Sequence, residues 1–173
     1  MFYLTLLLPL LLGFQSEDSL REVSPEEEAQ VVERGREAAD ELMKELKTAL
    51  MRAVREGGPA HAVEFCSGEA LDLTDSVEKE FAQLEIKRTT FKYRNPANAP
   101  DELERLALEK YREALEEESA PPDYLVQKYE QGGQLRYRYY QPLRVAGLCL
   151  TCHGDPEENI PEPVSEVLQK EYP

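Results

Sequence analysis

Cysteine and histidine are scarce in this chain, three and two among 173 residues, yet Cys149, Cys152 and His153 all fall within the hexapeptide CLTCHG. That crowding constrains the fold more than any other feature, because the surrounding elements must bring three reactive side chains to one place. Three chemistries compete for the motif. The pattern C-x-x-C-H is the attachment signature of a c-type haem. Two thiols at this spacing can add across the two vinyl groups of one porphyrin, and the histidine that follows is held beneath the iron. A zinc site is the second reading, with Cys66, Cys149, Cys152 and His153 as a Cys₃His set. Structural zinc sites usually offer two close pairs of ligands, whereas Cys66 has only His61 near it in sequence, and adjacent Cys152 and His153 would strain to hold one ion. The third is a Cys149–Cys152 disulfide, structural or redox-active. A thioredoxin-like site wants the motif opening a helix after a parallel strand. Here it follows the outgoing strand of a hairpin, and Asp155-Pro156 interrupts the chain just after it.

The N-terminus reads MFYLTLLLPLLLGFQSEDS. Its apolar run is too short to span a bilayer as a helix and suits the apolar core of a secretory signal peptide, residues 1–16. No Lys or Arg precedes the run and no A-x-A cleavage site is visible. The expectation is export to an oxidising, periplasmic setting. An odd cysteine count then leaves one thiol outside any intrachain disulfide. Lys and Arg number 20 against 35 Asp and Glu, a net charge of −15. Phosphate contacts need clustered cations, so this balance argues against nucleic acid and against an anionic membrane surface. It allows a basic protein partner.

Residues 17–24 read as a linker, and 25–173 as one domain, long enough to bury a core of its own. In SPEE, Ser24 is set to cap a helix, with Pro25 in its first position and Glu27 closing a capping box. Val31, Gly35, Ala38, Leu42, Leu46, Ala49 and Ala53 follow at helical spacing, up to Gly57-Gly58-Pro59. The stripe is read as core, part of it as a possible homodimer seam. A second helix starts at Pro59 and places Cys66 on the face of Ala62, Val63 and Ala70, with His61 offset from it. The run LEIKRTTFKYR, residues 84–94, has strand-like composition with a slip in phase. RNPANAP is a rigid loop, since two prolines so close suit neither a helix nor a central strand. Asp101 then caps a helix whose face is Leu103, Leu106, Ala107, Tyr111, Ala114 and Leu115. Residues 123–147 read as a hairpin turning at Gly132-Gly133. Leu135, Tyr137, Tyr139, Leu143 and Val145 should face inward and Arg136, Arg138 and Arg144 outward. A last helix spans roughly residues 163–171. The sum is an α+β fold with a small antiparallel sheet, flanking helices and a long N-terminal helix.

Three segments, taken in order, resemble one known family: GGPAHAVEFC (Gly57 to Cys66), RTTFKYRNPANAP (Arg88 to Pro100) and CLTCHGDP (Cys149 to Pro156). The chain is similar to a family of bacterial haem c domains of PAS-like fold, found alone or as extracytoplasmic sensor parts of signalling proteins. The resemblance implies one covalent haem c, with His153 on one side of the iron and Cys66 on the other. It thus gives the leftover thiol an occupation, as a thiolate held by a metal. His61, off the Cys66 face, is the alternative ligand.

Haem propionates want charge-assisted donors, which makes Arg94 the first candidate for such a contact; otherwise it would pair an acidic neighbour. Tyr137 and Tyr139 belong to sheet and core, with lining the pocket as their alternative. Family members commonly run on past the terminal YP into a glycine-rich stretch and a final strand. The chain printed here stops at Pro173, so the expectation is a sheet short of one edge strand, or one completed by another chain. Two functions follow: a redox or gas sensor signalling through a separate partner, or a low-potential electron carrier whose acidic surface steers a basic partner. No general acid–base constellation stands apart from the motif, so an enzyme is not expected.

Overall fold

The computed structural model describes residues 20–145 and 147–172. The expected signal peptide, and the start of the linker with it, lie outside those residues. What is described is α+β: helices around one small antiparallel sheet, with a long N-terminal helical segment. No helix among the described residues is long and apolar enough to cross a membrane.

Helix α1 spans Pro25–Glu78 and begins as its sequence dictates. The Glu27 amide donates to Ser24 Oγ and the Ser24 amide donates to Glu27 Oε2, a reciprocal cap that satisfies two otherwise orphaned donors. The helix breaks at Gly58, whose φ of 79° and ψ of −176° are open only to glycine. The two arms fold back on each other across this break. Arg34 donates to the Ala82 carbonyl at 2.8 Å, and the Arg52 guanidinium lies over the Phe65 ring. Ala38, Leu42, Ala49 and Ala53 are therefore buried within one chain. The apolar stripe that could have been a dimer seam is largely used inside the molecule. Small residues dominate it because two backbones approach closely there.

Helix α2 (Glu102–Glu116) is capped by Asp101 in a second capping box. Leu103 and Ala107 are buried, but Leu106 and Leu115 stay exposed. The expected apolar face is thus narrower than its periodicity suggests. Strands β1 (Leu125–Gln131) and β2 (Gln134–Tyr140) form the hairpin, with Gly132 and Gly133 at positive φ in the turn. Arg21 adds one bridge to the free edge of β1 through Lys128.

Lys128 pairs with Tyr137 and Val126 with Tyr139, so these residues share one face. That face meets α1. The Tyr137 hydroxyl donates to Glu27, and Tyr139 lies directly against Gly35. The opposite face, with Gln127, Tyr129 and Arg138, meets α2. Gln127 donates to the Leu103 carbonyl, and Arg138 bonds both oxygens of Asp101.

Two expectations about the sheet need correction. Arg138 does not face open solvent but is half-buried under α2, while Leu135, Tyr137, Leu143 and Val145 are exposed. A two-stranded sheet is too narrow for α1 to cover the whole inward face. The strand expected at residues 84–94 is also absent. That segment pairs with no strand and turns at Phe91 and Lys92, and the sheet has two strands among the described residues. Side chains serve its backbone instead: the Ile86 amide donates to Glu78 Oε2 at 2.7 Å. Its own side chains tie it down, Lys87 to Glu104 and to the Ala99 carbonyl, and Thr89 to the Asn98 carbonyl.

After a 3-10 turn at Gly147–Cys149 comes the short helix α3 (Leu150–His153), then α4 (Glu162–Glu171). Helix α4 lies against the second arm of α1. Val63, Val164 and Leu168 form the core there, with Cys152, Ile160 and Tyr172 packed at its edge.

Candidate functional site

The motif is a single tight turn. Cys149 precedes the first residue of α3, and Cys152 and His153 are its last two residues. The Gly154 amide closes the turn by donating to the Leu150 carbonyl at 2.8 Å. A Cβ on Gly154 would lie 2.5 Å from that same carbonyl and from Asn159 Cβ, so no larger residue fits after His153 without movement. Asp155 and Asn159 lock the next turn: the Asp155 amide donates to Asn159 Oδ1 and the Asn159 amide to the Asp155 carbonyl.

The fold brings the second arm of α1 to this turn. Cys66 lies one turn beyond Val63, on the face that packs against Cys152 and α4. All three cysteines are free thiols and half-buried. Burial pushes the Cys66 thiol above its ordinary range; nearby Cys152 adds to the rise, and Arg88 opposes it. Burial likewise raises Cys152, with Arg94 opposing. His153 has an exposed edge, yet the protein packed around its ring, together with Arg94 and Arg88, holds its pKa below the usual histidine value. The imidazole is thus kept neutral at neutral pH, the form that can donate a lone pair to a metal.

One segment supplies both cations. Arg94 donates to the Cys152 carbonyl at 2.6 Å and so grips the motif helix from outside. Arg88 donates to the Ala70 carbonyl at 3.2 Å, one turn on from Cys66. The acidic neighbour considered for Arg94 is not there: no ion pair of Arg88 or Arg94 occurs among the described residues. Arg88 was not singled out in the sequence, although it opens the RTTFKYRNPANAP run. Tyr172 was also missed; it packs at the edge of the α4 core, close enough to Arg88, Arg94 and Cys66 for its own pKa to feel them. A tyrosine in the penultimate position of the printed chain gives no periodic signal.

The other sequence candidates separate. His61 is exposed and turned back on Gly57, where an added Cβ would lie 2.6 Å from His61 Cβ and Cγ. Tyr137 and Tyr139 are occupied against α1. Among the described residues no three His, Cys, Asp or Glu side chains converge as a metal site, so the Cys₃His set is not assembled. The Cys149–Cys152 disulfide is not formed.

The residues present fit a haem by two observations. The donor set is one neutral imidazole and one thiol from opposite elements, with two more thiols at attachment spacing. Within and just before the motif, Leu143, Val145, Leu148 and Leu150 leave apolar side chains exposed.

No curated protein and no solved structure matches the chain significantly. A family model does, over residues 17–173, which take in every residue of the site, and the chain belongs to the Tll0287-like family.

Proposed function

We propose that this protein is an exported c-type haem protein that senses redox state or a small gas. Cys149 and Cys152 would anchor the porphyrin, and His153 and Cys66 would hold the iron from opposite sides. The observation that carries the reading is that Cys66, from the first half of the chain, lies near enough to Cys152 of a free-thiol C-x-x-C-H turn for the two thiols to feel each other's charge. Attachment is an addition. Each S–H of Cys149 and Cys152 would add across a vinyl C=C, sulfur to one carbon and hydrogen to the other, with no net oxidation. The haem supplies one-electron chemistry at its iron. The chain's own residues present the neutral His153 ring, bring the thiol of Cys66, exclude water with the Val63–Val164–Leu168 core, and offer the apolar surface of Leu148 and Leu150.

With His153 and Cys66 both holding the group, binding and sensing would be favoured over catalysis. Release of Cys66 would open one position to a neutral ligand such as CO or NO. The net charge of −15 supports a second reading, an electron carrier that attracts a basic redox partner.

The test is the absorption and electron paramagnetic resonance of protein matured with haem, wild type against Cys66→Ala and His153→Ala. A low-spin ferric spectrum with thiolate character, lost in Cys66→Ala, is expected. A Cys66→Ala spectrum identical to wild type overturns the ligand assignment. Binding of CO by the reduced wild type supports sensing; an unchanged spectrum under CO and NO, with fast reversible electron exchange, supports the carrier.

A further inference from the structure

Two arginines stand beside the motif, and one of them holds a buried donor without a partner. Acidic residues outnumber basic ones 35 to 20, yet many basic side chains on the surface make no ion pair, so a missing carboxylate is not unusual by itself. Eleven close ion pairs form among the described residues, and none involves Arg88 or Arg94. Arg94 at least spends a donor on the Cys152 carbonyl. Arg88 is in a harder position. Its Nε is buried and has no hydrogen-bond partner, the one such side-chain nitrogen or oxygen among the described residues. A buried donor left unmade on a charged group costs free energy, and such exceptions ask for an explanation. The guanidinium is not free to swing away, because Nη2 is tied to the Ala70 carbonyl. That tie holds it on the Cys66 arm, while Arg94, six positions on and past the turn at Phe91 and Lys92, is tied to the motif helix. One segment therefore hangs a guanidinium at each side of the site, and neither meets an anion of the chain itself.

We propose that Arg88 is a carboxylate-binding residue of this site, its buried Nε–H donating to a propionate of the bound haem. This rests on the haem reading above. Arg88 would act with Arg94 as a pair of donors, one for each half of the site, and would set the orientation in which the porphyrin meets Cys149 and Cys152. A planar guanidinium suits the task, since it presents several N–H donors in a fixed fork.

The experiment titrates the full chain, thiols kept reduced, with hemin and separately with hemin dimethyl ester, whose carboxylates are capped. Wild type is compared with Arg88→Met and Arg88→Lys, and folding is followed by circular dichroism. Arg88→Met is expected to weaken hemin by about tenfold to a hundredfold, the range for losing a hydrogen bond to a charged group, and to leave the ester unchanged. Arg88→Lys keeps the charge but loses the Nε donor and is expected to weaken hemin by a smaller factor. Equal weakening of hemin and ester would make Arg88 structural and overturn the proposal. So would an Arg88→Lys protein that binds hemin as wild type does, a result that decides the matter even where Arg88→Met fails to fold. Wild type that binds neither compound would instead defeat the haem reading itself.

Discussion

Gly35 and Gly68 both sit inside α1, and sequence reasoning treats them alike: each should gain about 1 kcal/mol on replacement by alanine, through helix propensity. The structure separates them. A Cβ on Gly35 would lie 2.3 Å from Cγ of Tyr139, and 2.5 and 2.6 Å from Cδ1 and Cβ, whereas a Cβ on Gly68 meets nothing within 4 Å. Carbon atoms prefer about 3.5–4.0 Å, so Gly35→Ala must push the ring or the strand back by more than an ångström. Tyr139 has little room to yield. Its ring stacks on Tyr124 with centroids 6.0 Å apart, and its hydroxyl donates to Gln141. Overpacking of this kind costs about 1–3 kcal/mol; set against the propensity gain of about 1 kcal/mol, Gly35→Ala should end up destabilised by up to about 2 kcal/mol. Gly68→Ala should be stabilised by about 0.5–1 kcal/mol. Urea unfolding followed by far-ultraviolet circular dichroism measures both. In a Tyr139→Ala background the sign for Gly35→Ala should reverse, because the atom it strikes is gone. Equal effects of the two alanines in wild type would falsify the close contact of sheet and helix.

Other perturbations have equally definite outcomes. Leu42→Ala removes a buried side chain from between the arms of α1 and should cost about 2–5 kcal/mol in the same unfolding assay. Lys87→Met leaves the buried Glu104 carboxylate without its cation at 2.7 Å, and a loss of roughly 1–3 kcal/mol is expected. Glu27 accepts from Lys128, the Ser24 amide and Tyr137, and its pKa is lowered to about 2 from 4.5. Because the folded value is depressed, the stability it adds is present above pH 4.5 and fades as pH falls towards 2. The stability gap between wild type and Glu27→Gln should therefore narrow over that window, and a gap that stays constant would contradict the bonding described.

What the sequence made legible was local. The Ser24 and Asp101 caps, the break at Gly58, the Gly132-Gly133 turn and the motif turn each depend on a few adjacent residues, and each stands where it was expected. Pairing was harder to read. Residues 84–94 have the composition of a strand, but a strand needs a partner, and Glu78, Glu104 and Asn98 serve that segment instead. Arg138 looked outward because arginines alternate with tyrosines in β2, and nothing local reveals that Asp101, the cap of α2, waits on that face. The site shows the same division. Cys149, Cys152 and His153 announce themselves by spacing, and Cys66 by the face it shares with Ala62 and Val63. Arg88 becomes visible only when its buried Nε is found without a partner, which no sequence pattern encodes.

The most direct test of the haem reading is a pyridine haemochrome spectrum of protein exported alongside a cytochrome c maturation system, taken after acid–acetone extraction of the denatured chain. The expected result is a c-type haemochrome that stays with the polypeptide, and that is lost when both Cys149 and Cys152 are changed to alanine. A colourless chain, or pigment that extracts fully into the acetone, would contradict it.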